Sequence, residues 1–270
     1  FPAAREHFVS IRLMTHVPDQ SVVRREIDIM QRERKLDRAE VGRQMSARLA
    51  DRFKQEVAQL ARKLPKLTPI EAAQDAEAET AAVQPHLGVW KAMGSTVFVF
   101  AETSNAVHGN RRVALDGTPR LAASEWPRFG ARLTEVADYI QSQGLRFAYH
   151  HHLGTVVERG EDVEVFLRHT GATVGFTLDT GHAALGGVDT LELIRAHPAR
   201  IAHVHCKDVR WDTFKRVRDS GASFLDGVLA GMFTVPGDGG LDYGQVMHAL
   251  AGIGYSGWIV IEAEQDPALA

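Results

Sequence analysis

The sequence contains a single cysteine, Cys206, and no apolar run long enough to cross a bilayer. One cysteine excludes an internal disulfide, so the cytosol is the expected compartment. We identify no signal peptide, and the chain begins with Phe1 rather than methionine, as a fragment or a processed form would. The formal net charge of −3 gives no general case for nucleic-acid binding. We therefore expect a cytoplasmic protein that contacts neither membrane nor nucleic acid.

What the sequence does contain is typical of one large α/β domain. Its 270 residues are 44% hydrophobic and 24% charged, as in ordinary globular proteins. From Pro85 onward, strand and helix patterns alternate, and five strands are predicted, near residues 96–100, 147–155, 173–178, 201–205 and 257–262. Strands separated by helices indicate a parallel sheet. Such a sheet binds ligands at the carboxyl ends of its strands, whether it is open or closed into a barrel.

Residues 1–84 have a different character and are predicted to form an atypical, charged, helical region. One weak strand is predicted near Ile11. An apolar ridge at helical spacing follows, formed by Val41, Met45, Leu49, Phe53, Val57, Leu60 and Leu64, with a basic face opposite. This helix either docks an acidic partner or packs by one face in solvent, and the interspersed acidic residues favour the second interpretation. Helices are then predicted over residues 71–82 and 87–93.

Three successive histidines, His150, His151 and His152, end one predicted strand. Because the faces of a strand alternate, His150 and His152 point the same way and His151 points the opposite way. Two imidazoles on one face at the carboxyl end of a strand can form half of a metal site.

Three later strands each end in a residue able to supply the other half, namely Asp179, His205 and Glu262. A lone histidine at a strand end is more often a hydrogen-bonded structural residue. Four strand ends in order, each with a ligand type, instead favour a metal centre. Histidine with two carboxylates suits a divalent cation such as Mn²⁺, Co²⁺ or Zn²⁺.

Other polar residues fall beside these ends. His152 and His182 are candidate general acids or bases because histidine titrates near neutral pH. Lys207 either holds a substrate oxygen and stabilises an enolate, or forms an ordinary ion pair with Asp208 or Asp179. The thiol of Cys206 faces away from His205, which favours a buried structural role.

Four further residues are candidate substrate contacts: Glu102, Asn105, Glu158 and Asp238. Glu102 and Asn105 follow the first predicted strand, although a helix-capping role for Ser104 or Asn105 is nearly as good an interpretation. Glu158 either reaches the same cavity or begins the next helix. Asp238 lies in a glycine turn that allows close backbone approach to a sugar-like ligand, and the turn lacks the Lys-Ser/Thr of a phosphate loop.

These segments together resemble the xylose-isomerase-like TIM-barrel superfamily of sugar isomerases, epimerases and dehydratases, and more narrowly its inosose dehydratases. The segments that carry the resemblance are 149–158 (YHHHLGTVVE), 178–182 (LDTGH), 202–210 (AHVHCKDVR), 235–239 (VPGDG) and 257–267 (GWIVIEAEQDP). The resemblance runs from about Pro85 to the C-terminus, so residues 85–270 are predicted to be the barrel region that carries the metal.

The resemblance implies a metal held by His150, Asp179, His205 and Glu262. The first position carries histidine where the wider superfamily has glutamate, and a shift of register would exchange His150 with His152. It also implies dehydration of 2-keto-myo-inositol to a trihydroxycyclohexane-dione, with the metal stabilising an enediolate and Mn²⁺ or Co²⁺ favoured over Zn²⁺. The small-molecule substrate is thus a polyol ketone.

The N-terminal region departs from the family pattern, because the five strands after Pro85 leave an eight-stranded barrel two or three strands short. Either the missing strands are disguised, or the barrel is open, or a partner chain completes it. Because open sheet edges promote association, a homo-oligomer is expected.

Overall fold

The computed structural model describes residues 76–92, 94–103 and 105–266. The chain divides into two compact units, Phe1–Thr68 and Pro69–Ala270, and all described residues belong to the second. The strand predicted near Ile11 and the basic helix predicted after Val41 lie outside the described residues.

The second unit alternates helices and strands along the chain. In order, its elements are α1 (Ala76–Ala92), β1 (Val97–Phe100), α2 (Trp126–Ser142), β2 (Arg146–His150), α3 (Gly160–His169), β3 (Gly175–Asp179), α4 (Thr180–Leu185), α5 (Thr190–Ala196), a 3₁₀ turn (Pro198–Arg200), β4 (Ile201–Cys206), β5 (Asp208–Val209), α6 (Trp211–Asp219), α7 (Phe224–Leu229), β6 (Phe233–Thr234), α8 (Tyr243–Gly252) and β7 (Ile259–Ile261).

Five of these strands form one parallel sheet in the order β1-β2-β3-β4-β7. This confirms the five strands and the parallel arrangement predicted after Pro85. The ladder pairs His150 with Thr177 and Asp179 with His205. The carboxyl ends of neighbouring strands therefore meet at one edge of the sheet, where the candidate site residues lie.

The centre of the sheet, from β2 to β4, is buried because apolar residues occupy both of its faces, whereas Ile259 and Ile261 of the edge strand β7 are exposed. All five residues of β3 are buried. Helices α2 and α3 pack on the sheet through an apolar cluster that includes Val136, Ile140 and Phe166, all essentially inaccessible to solvent. Two-sided burial explains why these strands form continuous apolar runs in the sequence. Among the described helices, none is both long and apolar enough to span a bilayer.

The helix before β1 differs from the prediction. Two helices separated at Pro85 were expected, but α1 runs through Pro85 without interruption. Val83 and Leu87, on either side of the proline, are both buried in the main apolar cluster. Packing of this face outweighs the loss of one helical hydrogen bond at proline. The division of the chain at residue 85 stays a prediction, as does the homo-oligomer.

One further expectation also requires correction. The histidine strand ends at His150, so His151 and His152 belong to the turn that follows. The segment between β4 and the glycine turn contains α6, α7 and an antiparallel pair of short strands, β5 and β6.

Candidate functional site

The four predicted metal ligands lie at the carboxyl ends of four strands of the sheet. His150 ends β2, Asp179 ends β3, His205 is the penultimate residue of β4, and Glu262 directly follows β7. Because β2, β3, β4 and β7 are successive neighbours, the sheet itself brings these side chains together. We call these four residues the metal-centre cluster.

The distances within this cluster fit a small divalent ion. Oδ2 of Asp179 lies 3.4 Å from Nε2 of His150 and 3.5 Å from Nδ1 of His205. Oε2 of Glu262 lies 3.5 Å from the same Nδ1 of His205. Ligands bonded to one tetrahedral ion at about 2.1 Å are themselves roughly 3.4 Å apart. His150, Asp179 and His205, whose ligand atoms all lie within 4.8 Å of one another, thus have the spacing that such an ion requires, and Glu262 adds a carboxylate beside His205.

Several of these donor atoms have no hydrogen-bond partner. Both ring nitrogens of His205 and Nδ1 of His150 are buried in this state. Unpartnered buried polar atoms are costly, and a bound cation would satisfy those that face it. The residues present therefore fit a divalent ion.

Asp179 is fixed by the start of the following helix. Its Oδ1 accepts hydrogen bonds from the backbone N–H groups of Gly181 and His182, both at 3.0 Å. This N-cap leaves Oδ2 turned toward the two histidines. Burial raises the pKa of the Asp179 carboxyl, but the positive charge of Lys207, together with interactions with His182, His150 and His205, outweighs burial and holds the pKa well below its usual value. The Asp179 carboxyl is therefore ionised.

Lys207 is almost fully buried, with 2% of its surface exposed, and its ammonium contacts three carboxylates. Nζ lies 3.4 Å from Asp179, 3.0 Å from Glu262 and 3.1 Å from Glu264. Burial lowers the pKa of Lys207, but these carboxylates outweigh it and raise the pKa well above its usual value. Of the two predicted ion pairs, Asp179 is a partner, whereas Asp208 accepts backbone hydrogen bonds from the glycine turn.

His152, His182 and Glu264 form a second group beside the first, which we call the histidine–glutamate cluster. The ring centroids of His152 and His182 are 3.7 Å apart. Nε2 of His182 lies 3.2 Å from Nζ of Lys207 and 3.9 Å from Oε2 of Glu264. Burial is the largest cause that lowers the pKa of both histidines well below the usual value, so both rings are neutral at pH 7.

His151 and Cys206 lie outside these clusters. The ring of His151 stacks on Phe176 in the apolar core at 4.9 Å, and burial lowers its pKa to about 3. Burial likewise raises the pKa of the Cys206 thiol to about 12. The burial of Cys206 fits the structural role expected from the sequence, and His151 faces away from the metal-centre cluster as the strand alternation predicts.

The predicted substrate contacts are more scattered. Glu158 is buried, and its Oε2 accepts hydrogen bonds from Thr118 at 2.6 Å and from the backbone of Gly154 at 2.5 Å. Asp238 is exposed and bonds Arg210 and Thr234. Glu102 is partly buried after β1, and Asn105 is exposed. Their contacts with substrate stay predictions.

The structure adds two residues to the site that had no predicted role. Glu264, two residues after Glu262, contacts Lys207 at 3.1 Å and lies 3.9 Å from Nε2 of His182. His108, in the long connection after β1, places its ring 4.9 Å from that of His152. Since the connection has no periodic pattern, no sequence signal indicated this contact.

A protein-family model described as xylose isomerase-like TIM barrel matches residues 17–270. The chain is 45% identical over 193 residues to the rhizopine catabolism protein MocC of Rhizobium meliloti, covering 72% of this chain and 59% of that protein. It is 40% identical over 195 residues to the inosose dehydratase of Geobacillus thermodenitrificans, covering 71% and 65%. The chain thus spans about three-fifths to two-thirds of the length of these curated relatives.

A crystal structure of the IolI protein with bound zinc superimposes with a TM-score of 0.51 at 20% identity, covering 73% of this chain and 65% of that one. This structural similarity shows that the two proteins share the same fold. Together with the family match, the parallel sheet with its ligand-bearing carboxyl edge establishes that the chain belongs to the xylose isomerase-like TIM barrel family.

Proposed function

We propose that the protein is a metal-dependent hydro-lyase that dehydrates 2-keto-myo-inositol to a trihydroxycyclohexane-dione. The observation that carries this proposal is the metal-centre cluster with two neutral histidines and a buried ammonium beside it. The likeness to relatives named inosose dehydratase supports the choice of substrate. An ion held by His150, Asp179, His205 and Glu262 would supply Lewis-acid stabilisation of negative charge on substrate oxygens.

His152 and His182 are assigned different proton-transfer roles because the ring proton lies on a different nitrogen in each. Nδ1 of His152 lies 2.7 Å from the carbonyl oxygen of Leu153, which can only accept a hydrogen bond. The proton of the neutral ring is therefore on Nδ1, and Nε2 keeps its lone pair. We assign His152 as the base that takes the proton next to the ketone.

His182 has the opposite arrangement. Its Nδ1 accepts the backbone N–H of Leu153 at 3.4 Å, which places the proton of the neutral ring on Nε2. In this tautomer the Nε2–H group lies 3.2 Å from the ammonium of Lys207, whose positive charge favours loss of the Nε2 proton. We assign His182 as the acid that protonates the departing β-hydroxyl.

This assignment balances the reaction. His152 gains the proton removed from carbon and His182 loses the proton that leaves in water, so the return of one proton from His152 to His182, whose nitrogens lie within 4.8 Å of each other, restores both. The ammonium of Lys207 adds a fixed positive charge beside the reacting oxygens.

The experiment is turnover of 2-keto-myo-inositol by metal-stripped protein before and after addition of Mn²⁺, Co²⁺ or Zn²⁺. We expect ultraviolet absorbance of the conjugated enol-dione to appear only with metal and to be lost in His205→Ala. Nuclear magnetic resonance of the mixture detects an isomeric product, which would show an isomerase or epimerase instead. Metal binding without any turnover would indicate a barrel that only binds sugars.

A further inference from the structure

The ammonium of Lys207 lies between the two clusters of metal-ligand side chains. It contacts Asp179 and Glu262 of the metal-centre cluster, and His182 and Glu264 of the histidine–glutamate cluster. The second cluster by itself has the composition of a cation site, since two imidazoles and a carboxylate offer ligand atoms within 4.8 Å of one another. The Lys207 ammonium therefore lies beside two groups of side chains that could each bind a cation.

The ammonium lies close to both clusters, 3.0 Å from Oε2 of Glu262 and 3.4 Å from Oδ2 of Asp179 at the first, so each added divalent ion raises the positive charge around it. Nζ lies 3.2 Å from Nε2 of His182 and 3.1 Å from Oε2 of Glu264, and those two atoms are 3.9 Å apart. An ion bonded to both atoms at about 2.1 Å would lie within roughly 3.3 Å of Nζ. Two unscreened cations at that separation in a buried site repel strongly.

The charges of the surrounding side chains also disfavour a second divalent ion. The carboxylates of Asp179, Glu262 and Glu264 supply three negative charges around the ammonium. Lys207 and one divalent ion neutralise these three charges. A second divalent ion would leave the buried site with an excess of two positive charges, which burial disfavours.

We propose that the Lys207 ammonium takes the place of a second metal ion, so that the protein binds one divalent ion, at the metal-centre cluster. Replacing Lys207 with an uncharged side chain opens a second divalent-ion site at the histidine–glutamate cluster. This inference rests on the metal centre of the proposed function and deepens it, because the substrate then meets one metal ion and one fixed ammonium rather than a pair of metals.

The test counts bound ions after equilibrium dialysis of metal-stripped protein against Co²⁺ or Zn²⁺. We expect one ion per chain in the wild type and in Lys207→Arg, which keeps the charge. Lys207→Met, of similar length and uncharged, is expected to bind two, the second with a new Co²⁺ absorption band. Adding His182→Ala to Lys207→Met should return the count to one.

A wild-type count of two would overturn the inference, as would a count of one in Lys207→Met whose circular dichroism and melting transition show a folded protein. If Lys207→Met does not fold, His182→Ala in the wild-type background decides. There the count should stay at one with affinity changed less than about threefold, and loss of the ion would overturn the inference.

The counts need no substrate, so this test and the turnover assay fail separately. One ion per chain without turnover would contradict the dehydratase function and leave the Lys207 inference standing. A wild-type protein that binds no ion would overturn the metal centre and this inference together.

Discussion

His205 and Asp179 are register partners on neighbouring parallel strands, and Nδ1 of His205 lies 3.5 Å from Oδ2 of Asp179. The backbone ladder sets their spacing, and the N-cap bonds of Asp179 fix its carboxylate. The pair is therefore held in place before any ion binds. Glu262, by contrast, follows the short terminal strand β7 of the described sheet.

The first prediction concerns adjacent histidines with opposite roles. His150→Ala should weaken Co²⁺ binding by about 100-fold or more, because it removes a proposed ligand that faces Asp179. His151→Phe should change the affinity less than about threefold, because His151 stacks on Phe176 in the core. Isothermal titration calorimetry of both variants makes the comparison. Equal losses in the two variants would contradict the assigned ligand.

The second prediction concerns Cys206. Burial raises the pKa of its thiol to about 12, so the thiol stays protonated at pH 8, and thiolate is the form that reacts. The native protein should react with iodoacetamide roughly 10³-fold more slowly than the urea-unfolded chain. Mass spectrometry of timed samples measures the rates. Rapid labelling of the native protein would show that the strand around Cys206 opens readily.

Much of the metal-centre cluster could be predicted because strand ends leave a sequence signal. Asp179, His205 and Glu262 each follow an apolar run, and the parallel arrangement then brings those ends together. The parts that depend on three-dimensional contacts could not be predicted. The three-carboxylate environment of Lys207 includes Glu264, which lies 57 residues away along the chain.

Other differences between the sequence predictions and the structure also have physical causes. A proline in a helical pattern predicts a break, but burial of Val83 and Leu87 in one core keeps α1 continuous through Pro85. His108 reaches His152 because its irregular connection is anchored elsewhere, for example by the hydrogen bond from Thr118 to Glu158. Such connections have no periodicity from which a contact can be predicted.

The third prediction concerns Asp208, which holds the glycine turn in place. Its buried carboxylate accepts backbone hydrogen bonds from Val209, Gly237, Gly239 and Leu241 at 2.8 to 3.1 Å. Asp208→Ala leaves these donors without their acceptor and should lower the free energy of unfolding by about 3 to 5 kcal/mol. Urea denaturation measures this change in the free energy of unfolding.

Asp238→Ala in the same turn is the control for Asp208→Ala. Asp238 is exposed and bonds the side chains of Arg210 and Thr234 rather than the turn backbone. We expect a much smaller change in the urea midpoint. Similar losses in both variants would show that Asp208 is not the anchor of the turn.

The fourth prediction compares two helical glycines. A Cβ built on Gly130 of α2 would overlap the carbonyl oxygen of His169 at the end of α3, whereas one on Gly88 of α1 would meet nothing within 4 Å. Gly130→Ala should therefore lower the free energy of unfolding by about 1 to 3 kcal/mol. Gly88→Ala should raise it by about 0.5 to 1 kcal/mol, since alanine favours helix. Thermal unfolding of both variants tests the opposite signs.

The fifth prediction separates the two proton-transfer roles. With His152 as base, His152→Gln should stop both exchange of the substrate proton next to the ketone and loss of water. With His182 as acid, His182→Gln should still exchange that proton with deuterium from solvent while water loss falls by about 10²- to 10⁴-fold. Nuclear magnetic resonance in D₂O measures exchange, and absorbance of the enol-dione measures water loss, each with the Co²⁺ content of the variant matched to the wild type.

Because the hydrogen bonds to Leu153 set the assigned tautomers of His152 and His182, the same experiment tests those tautomers as well as the two roles. One residue supplies both partners, because its carbonyl accepts from His152 and its N–H donates to His182. If exchange persists in His152→Gln and stops in His182→Gln, the two roles are reversed. In that case the contact of Lys207 with Nε2 of His182, at 3.2 Å, is the one that sets the tautomer, because an ammonium donor there requires the lone pair on Nε2.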